Sequence, residues 1–377
     1  MCSILHLTYY NTDFTIHSII TMKSSVIKIH IVILFDGNQR LQYLNSLLKS
    51  IFYYQNDRFR YDIKSCCYAD FCDRFIINDH VHDNHNQIVL NPMATTYITV
   101  LHFLVTTITS NRRLMNFMNT WKLRNMEYYF YNCSSYLANL QWINSRHPAG
   151  AKPFLKLMLT EILPTNISKV IVLDTDILLN TDIIELWNHF ENFSQTQSIG
   201  IGLEQNPHFQ DMMPKLESEW EGYGYNNGVL LFDLSKIRLT LWNELWIVIT
   251  RNALNNHGYL ITGEQDILNL VLFEFKHLLY EIPCEWNIQL SQGSDPHRCP
   301  VSWLTYTELK RRNYTTRYKQ PKLIHINHLI KPDNVFLEEI SIEYINHLDI
   351  LLKQHDLYYK FVSVYRQYTR LHVSCFR

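Results

Sequence analysis

The chain has 377 residues, enough for one large α/β domain or two smaller ones. Its 34 basic and 35 acidic side chains balance, which removes the electrostatic case for nucleic acid or an anionic membrane surface as partner. No apolar run approaches the roughly 18–20 residues needed to span a bilayer.

Residues 1–27 are mixed polar and aromatic and lack the charged, apolar and small-residue regions of a signal peptide. Against that stand four glycosylation sequons, at Asn132, Asn166, Asn192 and Asn313, which favour a lumenal address. The expectation is a protein held to a membrane only through an anchor missing from this sequence. Lys28 to Leu34 reads as a first strand, and the amphipathic stretch Leu41 to Ile51 as the helix after it. Arg58 to Tyr61 starts like a second strand, but the apolar continuation fails. From 64 to about 100 no period is visible, although Cys66, Cys67, Cys72, His80, His82 and His85 crowd there. Their spacing fits no standard zinc pattern. The segment reads as an atypical insertion, and a protease-sensitive excursion is predicted.

The pattern resumes with a strand at Leu101 to Thr106, a helix through Leu114 to Trp121, a strand at Glu127 to Tyr131 and a helix from Pro153 to Leu163. Lys169 to Leu179 follows as an apolar run carrying Asp174 and Asp176. Such a run suits a parallel strand covered on both faces. Ligands of open α/β sheets bind at the carboxyl ends of such strands, and residues two apart share a face, so both carboxylates can reach one cation. The bland alternative, an Asp capping the next helix, is already served by Thr181-Asp182. A strand at Ile199 to Leu203, a hairpin-like segment at Gly228 to Asp233, and helices over Leu241–Leu254 and Glu264–Phe275 complete an alternating α/β pattern with a largely parallel sheet.

The order of motifs resembles the retaining glycosyltransferases of family 8, the glycogenin-like enzymes, and most nearly the xylosyltransferase half of the LARGE-type enzymes. The carrying residues are Lys156-Leu157, Val170 to Asp176, Gly224-Tyr-Asn226-Asn227-Gly228, Glu264-Gln265-Asp266, Pro283 to Ser291, and Ile324-His325-Ile-Asn327. The resemblance is dense from about 146 to 360, weaker at 28–62 and 101–145, and absent for 64–100. It implies a single GT-A type domain over 28–360, with a Rossmann-like, mostly parallel sheet and helices on both faces, then a tail over 361–377.

The resemblance also implies roles. Asp174, Asp176 and His325 would bind Mn²⁺ bridging the diphosphate of a UDP-sugar, with the ion stabilising the leaving group. Lys156, Thr175, Asn226, Asn227, Gly228, Asn327 and Lys331 would line the donor, and Trp286 and Asn287 the acceptor side. Glu264, Gln265 and Asp266 would form the reacting face, with Gln265 near the anomeric carbon. Glu264 stands where the family has Asp; a misplacement of about 1 Å can cost on the order of 100-fold in rate. Cys284 and Cys299 match a cysteine pair of the LARGE-type sequences and would close a disulfide in an oxidising lumen. For Asn226 to Gly228 the plain reading is an Asn-Gly turn, and for Trp286 it is core packing.

The activity implied is transfer of xylose from UDP-xylose to a glucuronic-acid-ended glycan on a glycoprotein, in the Golgi lumen. Another family 8 xylosyl- or glucosyltransferase, or an inactive UDP-binding member, are the alternatives. A dehalogenase-like phosphohydrolase also begins with Asp-x-Asp after a strand, but Leu178 stands where that motif needs Thr or Val.

Overall fold

The computed structural model describes residues 26–35, 40–55, 96–123, 125–291, 293–302, 310–311, 313, 318–327, 331–332 and 354–376. Strand β1 (Val26–Phe35) leads into helix α1 (Arg40–Tyr54), whose Leu44, Leu47, Leu48 and Ile51 recur at helical spacing and are all buried. Strand β2 (Thr96–Val105), helix α2 (Ile108–Met118) and strand β3 (Met126–Asn132) follow. The regular pattern thus resumes at Thr96, inside the segment expected as an insertion. The expected strand at 58–61 and residues 64–95 lie outside the described residues.

The predicted helix over 153–163 is a 3-10 helix (Lys152–Met158) closed by a short α-turn (Leu159–Ile162). Strand β4 (Lys169–Leu173) stops before Asp174, and the apolar run continues as a separate strand, β5 (Ile177–Leu179). The two aspartates therefore occupy a break between strands. Next come β6 (Ile199–Leu203), β7 (Tyr225–Asp233), α3 (Trp242–His257), α4 (Glu264–Glu274), β8 (Leu279–Glu281), β9 (Ile288–Gln289), β10 (Leu323–His325) and α5 (Gln354–Arg370). Asn226 to Gly228 belong to β7 and make no hairpin turn. The register of β7 against β6 shifts there, between Ile201 and Gly202.

Seven strands form the main sheet in the order β3-β2-β1-β4-β7-β6-β8, with β7 alone antiparallel to its neighbours. Alternate residues feed two cores. Val32, Val170, Val172, Leu230 and Phe232 face α3 and α4; Ile31, Ile33, Ile171, Leu173 and Leu231 face α1 and α2. Each such fully buried side chain contributes about 1.5–3 kcal/mol, and burial on both faces explains why these strands read as continuous apolar runs.

β5, β10 and β9 make a small second sheet in which β10 runs antiparallel to β5 and parallel to β9. Its core of Leu178, Ile288 and Ile324 is covered by Phe361, Tyr365 and Tyr368. Residues 361–376, expected as a tail, are therefore packed structure. The buried ammonium of Lys49 on α1 donates to the Tyr368 carbonyl at 2.8 Å and fixes α5 to the main domain.

Candidate active site

The site forms at the carboxyl end of β4, where it gives way to β5, the usual position for a ligand crevice in an open α/β sheet. The Asp174 amide donates to the Gly228 carbonyl (3.0 Å), and the Asp176 carbonyl accepts from the Ile326 amide (2.9 Å). The break between β4 and β5 is thereby held from both flanks. Pairing of Ile177 with His325 then delivers the imidazole from a distant part of the chain. His325 Nε2 lies 3.6 Å from Asp176 Oδ1 and 3.8 Å from Asp174 Oδ2.

These three side chains can all turn a ligand atom to one point, their atoms lying within 4.8 Å of one another. Two carboxylate oxygens and an imidazole nitrogen form a donor set suited to a divalent ion such as Mn²⁺. Gly228 is what admits the ring: a Cβ there would stand 2.3 Å from it. His325 Nδ1 is buried without a hydrogen-bond partner.

Two lysines flank the carboxylates. Lys331 Nζ donates to Asp176 Oδ2 (2.6 Å) and the Ile326 carbonyl (2.7 Å). Burial opposes ionisation of Asp176, but Lys331 and His325 outweigh it and hold this carboxyl well below the usual range. Lys156, only 3 % exposed, contacts Asp174 Oδ1 (2.9 Å), Glu264 Oε1 (3.2 Å) and the Asn227 carbonyl (3.2 Å). Burial disfavours its charge, yet the two carboxylates keep it firmly protonated. Thr175 is buried in the turn between the aspartates, and Asn327 Oδ1 is buried with no partner.

Beside Lys156 lies an amide-rich wall. Asn227 Nδ2 donates to Glu264 Oε1 (2.9 Å), leaving Glu264 Oε2 buried and unpaired. The Asn227 amide donates to Gln265 Oε1 (3.3 Å). Asn287 Nδ2 donates to Asn226 Oδ1 (3.0 Å). One residue that the motifs did not single out joins them. Glu204, fully buried at the end of β6, accepts Asn226 Nδ2 (2.9 Å) and Gln265 Nε2 (3.2 Å) on Oε2. Its Oε1 takes the amides of Gln205 and Asn206 (3.0 Å each). Burial raises its pKa despite these donors. The available signal was its place directly after an apolar strand, the logic that picks out Asp174.

Two expected site residues are turned to other tasks. Asp266 accepts from the amides of Ile261 (2.6 Å) and Thr262 (2.8 Å) and from the Thr262 hydroxyl, so its carboxylate ties down the loop before α4. Trp286 is buried in the main core, 5.9 Å from the His189 ring, with Lys322 over its face. Cys284 and Cys299 are joined in a disulfide beside Asn287.

Residues 12–333 match the sequence profile of glycosyl transferase family 8. The chain is a member of that family. Among curated relatives, the xylosyl- and glucuronyltransferase LARGE2s of Gallus gallus is 32% identical over 259 residues, 68% of this chain and 33% of the relative. The xylosyl- and glucuronyltransferase LARGE1 of Homo sapiens is 35% identical over 202 residues, 53% of this chain and 27% of that protein. The chain thus spans about a third of the length of the curated relatives it matches. Mouse xyloside xylosyltransferase 1 in its apo form shares the fold, with a TM-score of 0.53, 20% identity, and coverage of 80% of this chain and 98% of that one. The family 8 member described here is accordingly a glycosyltransferase of GT-A type fold with a candidate divalent-metal site. Among its described residues no helix is long and apolar enough to cross a membrane.

Proposed function

We propose that this chain is a retaining transferase that takes xylose from UDP-xylose and passes it to a glucuronic-acid-ended glycan on a glycoprotein. The observation that carries the reading is the convergence of Asp174, Asp176, His325 and Lys156 beside the Glu264–Gln265 wall. The LARGE relatives, named for both xylosyl and glucuronyl transfer, support xylose over glucose as the donor sugar. A Golgi-lumen address is supported by the Cys284–Cys299 disulfide.

In this reading Asp174, Asp176 and His325 hold Mn²⁺. When bound, the ion acts as a Lewis acid toward the leaving diphosphate. Lys156 and Lys331 offset phosphate charge, and Thr175 and Asn327 line the nucleotide side. Glu264 and Asn227 form one hydrogen-bonded unit on the donor sugar, and Asn226, held by Glu204, lines the site beside them. The Gln265 side chain is fixed from both ends, by the Asn227 amide and by Glu204, and faces the reacting carbon. Retention then follows from attack on the face that the leaving phosphate vacates, with positioning and charge neutralisation supplying most of the rate. Asp266 supports this wall through the loop before α4, and Trp286 supports Asn287 on the acceptor side from within the core.

The test is a panel of UDP-sugars with Mn²⁺ and glucuronic-acid-ended acceptors. Turnover of UDP-xylose, lost in Asp176→Ala and in chelator, is expected. Turnover of UDP-glucose alone would reassign the donor. UDP binding with no transfer from any sugar would overturn the enzymatic reading and leave a nucleotide-binding protein.

A further inference from the structure

Two of the four sequons converge on one place in the fold. Asn166 lies in the turn before β4, and Asn192 closes the 3-10 turn ahead of β6; both are exposed. β4 and β6 run in the same direction on either side of β7, so both asparagines lie at the amino-terminal rim of the sheet. One short helix, Leu234–Ile237, holds both segments. The Ser235 amide donates to the Ser168 carbonyl (3.0 Å), and Lys236 Nζ donates to the carbonyls of Ser194 (2.5 Å) and Gln197 (2.8 Å).

Hydrogen bonds tie down the supporting backbone. Arg238 donates to the carbonyls of Leu163, Pro164, Thr165 and Ile167 and so clamps the turn that presents Asn166. Ser194 is fixed by its own turn, its amide on Gln197 Oε1 (2.9 Å). Among the described residues neither Asn166 nor Asn192 uses its side-chain amide on a protein partner. Asn132 differs, since its Oδ1 holds the Ser134 amide (3.1 Å).

We propose that Asn166 and Asn192 are paired N-glycosylation sites, and that their glycans cover the rim opposite the aspartates. The donor is a lipid-diphosphate-linked oligosaccharide, used by a separate oligosaccharyltransferase. Each Asn side-chain nitrogen bonds to the anomeric carbon, the carbon–oxygen bond to diphosphate breaks, and the lipid diphosphate leaves with that electron pair. The amide gives up one proton. The exposed Ser168 and Ser194 supply the hydroxyl that the sequon requires.

The separation is set by strand length. The five residues of β4 put the modified rim about 16 Å from the Asp174–Asp176 break. Glycans there leave the donor crevice open and bar protein partners from the far rim, so an acceptor glycoprotein must dock from the carboxyl-end side.

The experiment directs the full chain into the secretory lumen of a eukaryotic host and maps its peptides by mass after N-glycosidase treatment. Both asparagines are expected to be converted to aspartate. One glycan's mass should be lost in Ser168→Ala and in Asn192→Gln, and retained in Ser168→Thr. UDP affinity should be the same before and after enzymatic deglycosylation. Lumenal, disulfide-bonded protein with Asn166 and Asn192 both unmodified overturns the proposal. So does a tenfold change in UDP affinity on deglycosylation, which would place the glycans near the crevice. Occupancy is read by mass alone, so a chain that transfers no sugar leaves this test intact.

Discussion

At Gly228 the chain has no room for a side chain: a methyl group would collide with the ring of His325. Gly228→Ala is therefore expected to push the imidazole off the Asp174–Asp176 pair and to weaken divalent-ion binding about 10–100-fold. Manganese titration by electron paramagnetic resonance reads this directly; unchanged affinity would separate His325 from the ion. Glu204 makes a second test. Its carboxylate gathers four donors from three elements, and no neighbour replaces it. Glu204→Ala should lower kcat on the order of 100-fold, because Gln265 loses the group that orients it, while UDP affinity stays the same. A rise in KM with kcat intact would make Glu204 a plain binding residue. The Asp-x-Asp pair and His325 were legible because motif order carries them. Glu204 was not, because Glu-Gln after a strand also describes a solvated loop. The loop contacts of Asp266 were not legible either: its neighbours Glu264 and Gln265 enter the wall, but the next helical position turns about 100° away and bonds the loop before α4.

Among the elements, the three strands farthest from β8 carry a polar seam where an apolar one would be ordinary. His30 of β1 meets His102 of β2 (2.9 Å), and His102 meets the Tyr131 hydroxyl of β3 (3.0 Å). Burial presses the pKa of His30 down to about 4 and that of His102 to about 3. The unfolded chain takes up these protons near pH 6.5, so below that value it binds more protons than the folded protein. Stability is thus complete above about pH 6.5 and declines as pH falls toward 4. Thermal melts across this window should show the decline, and His102→Phe should flatten it; parallel curves for the two proteins would remove the histidines from the account. Periodicity located these strands well, because two-sided burial writes them as continuous apolar runs. It failed at the 3-10 helix before β4, whose spacing mimics an α-helix over so few residues. It failed also at β7, where Asn-Asn-Gly imitates a turn but lies within the strand, at its shifted register against β6.

At the scale of the whole molecule, the aspartates stand where the main sheet passes into the small one, β7 and α4 supply most of the amide wall, and the small sheet supplies the histidine. The site exists only when the two are joined, through β5 and β10 and under the cover of α5. That union was the least visible feature in the sequence: β9 and β10 have two and three residues, and α5 falls where a tail was expected. It also sets the central claim, that a metal held jointly by the two sheets is what binds the nucleotide diphosphate. Calorimetric titration of UDP into the full chain, with and without Mn²⁺, is the most direct test. The account predicts tight binding with the ion and at least about tenfold weaker binding without it, the difference vanishing in both Asp176→Asn and His325→Ala. UDP affinity that ignores Mn²⁺ in the unaltered protein would contradict it.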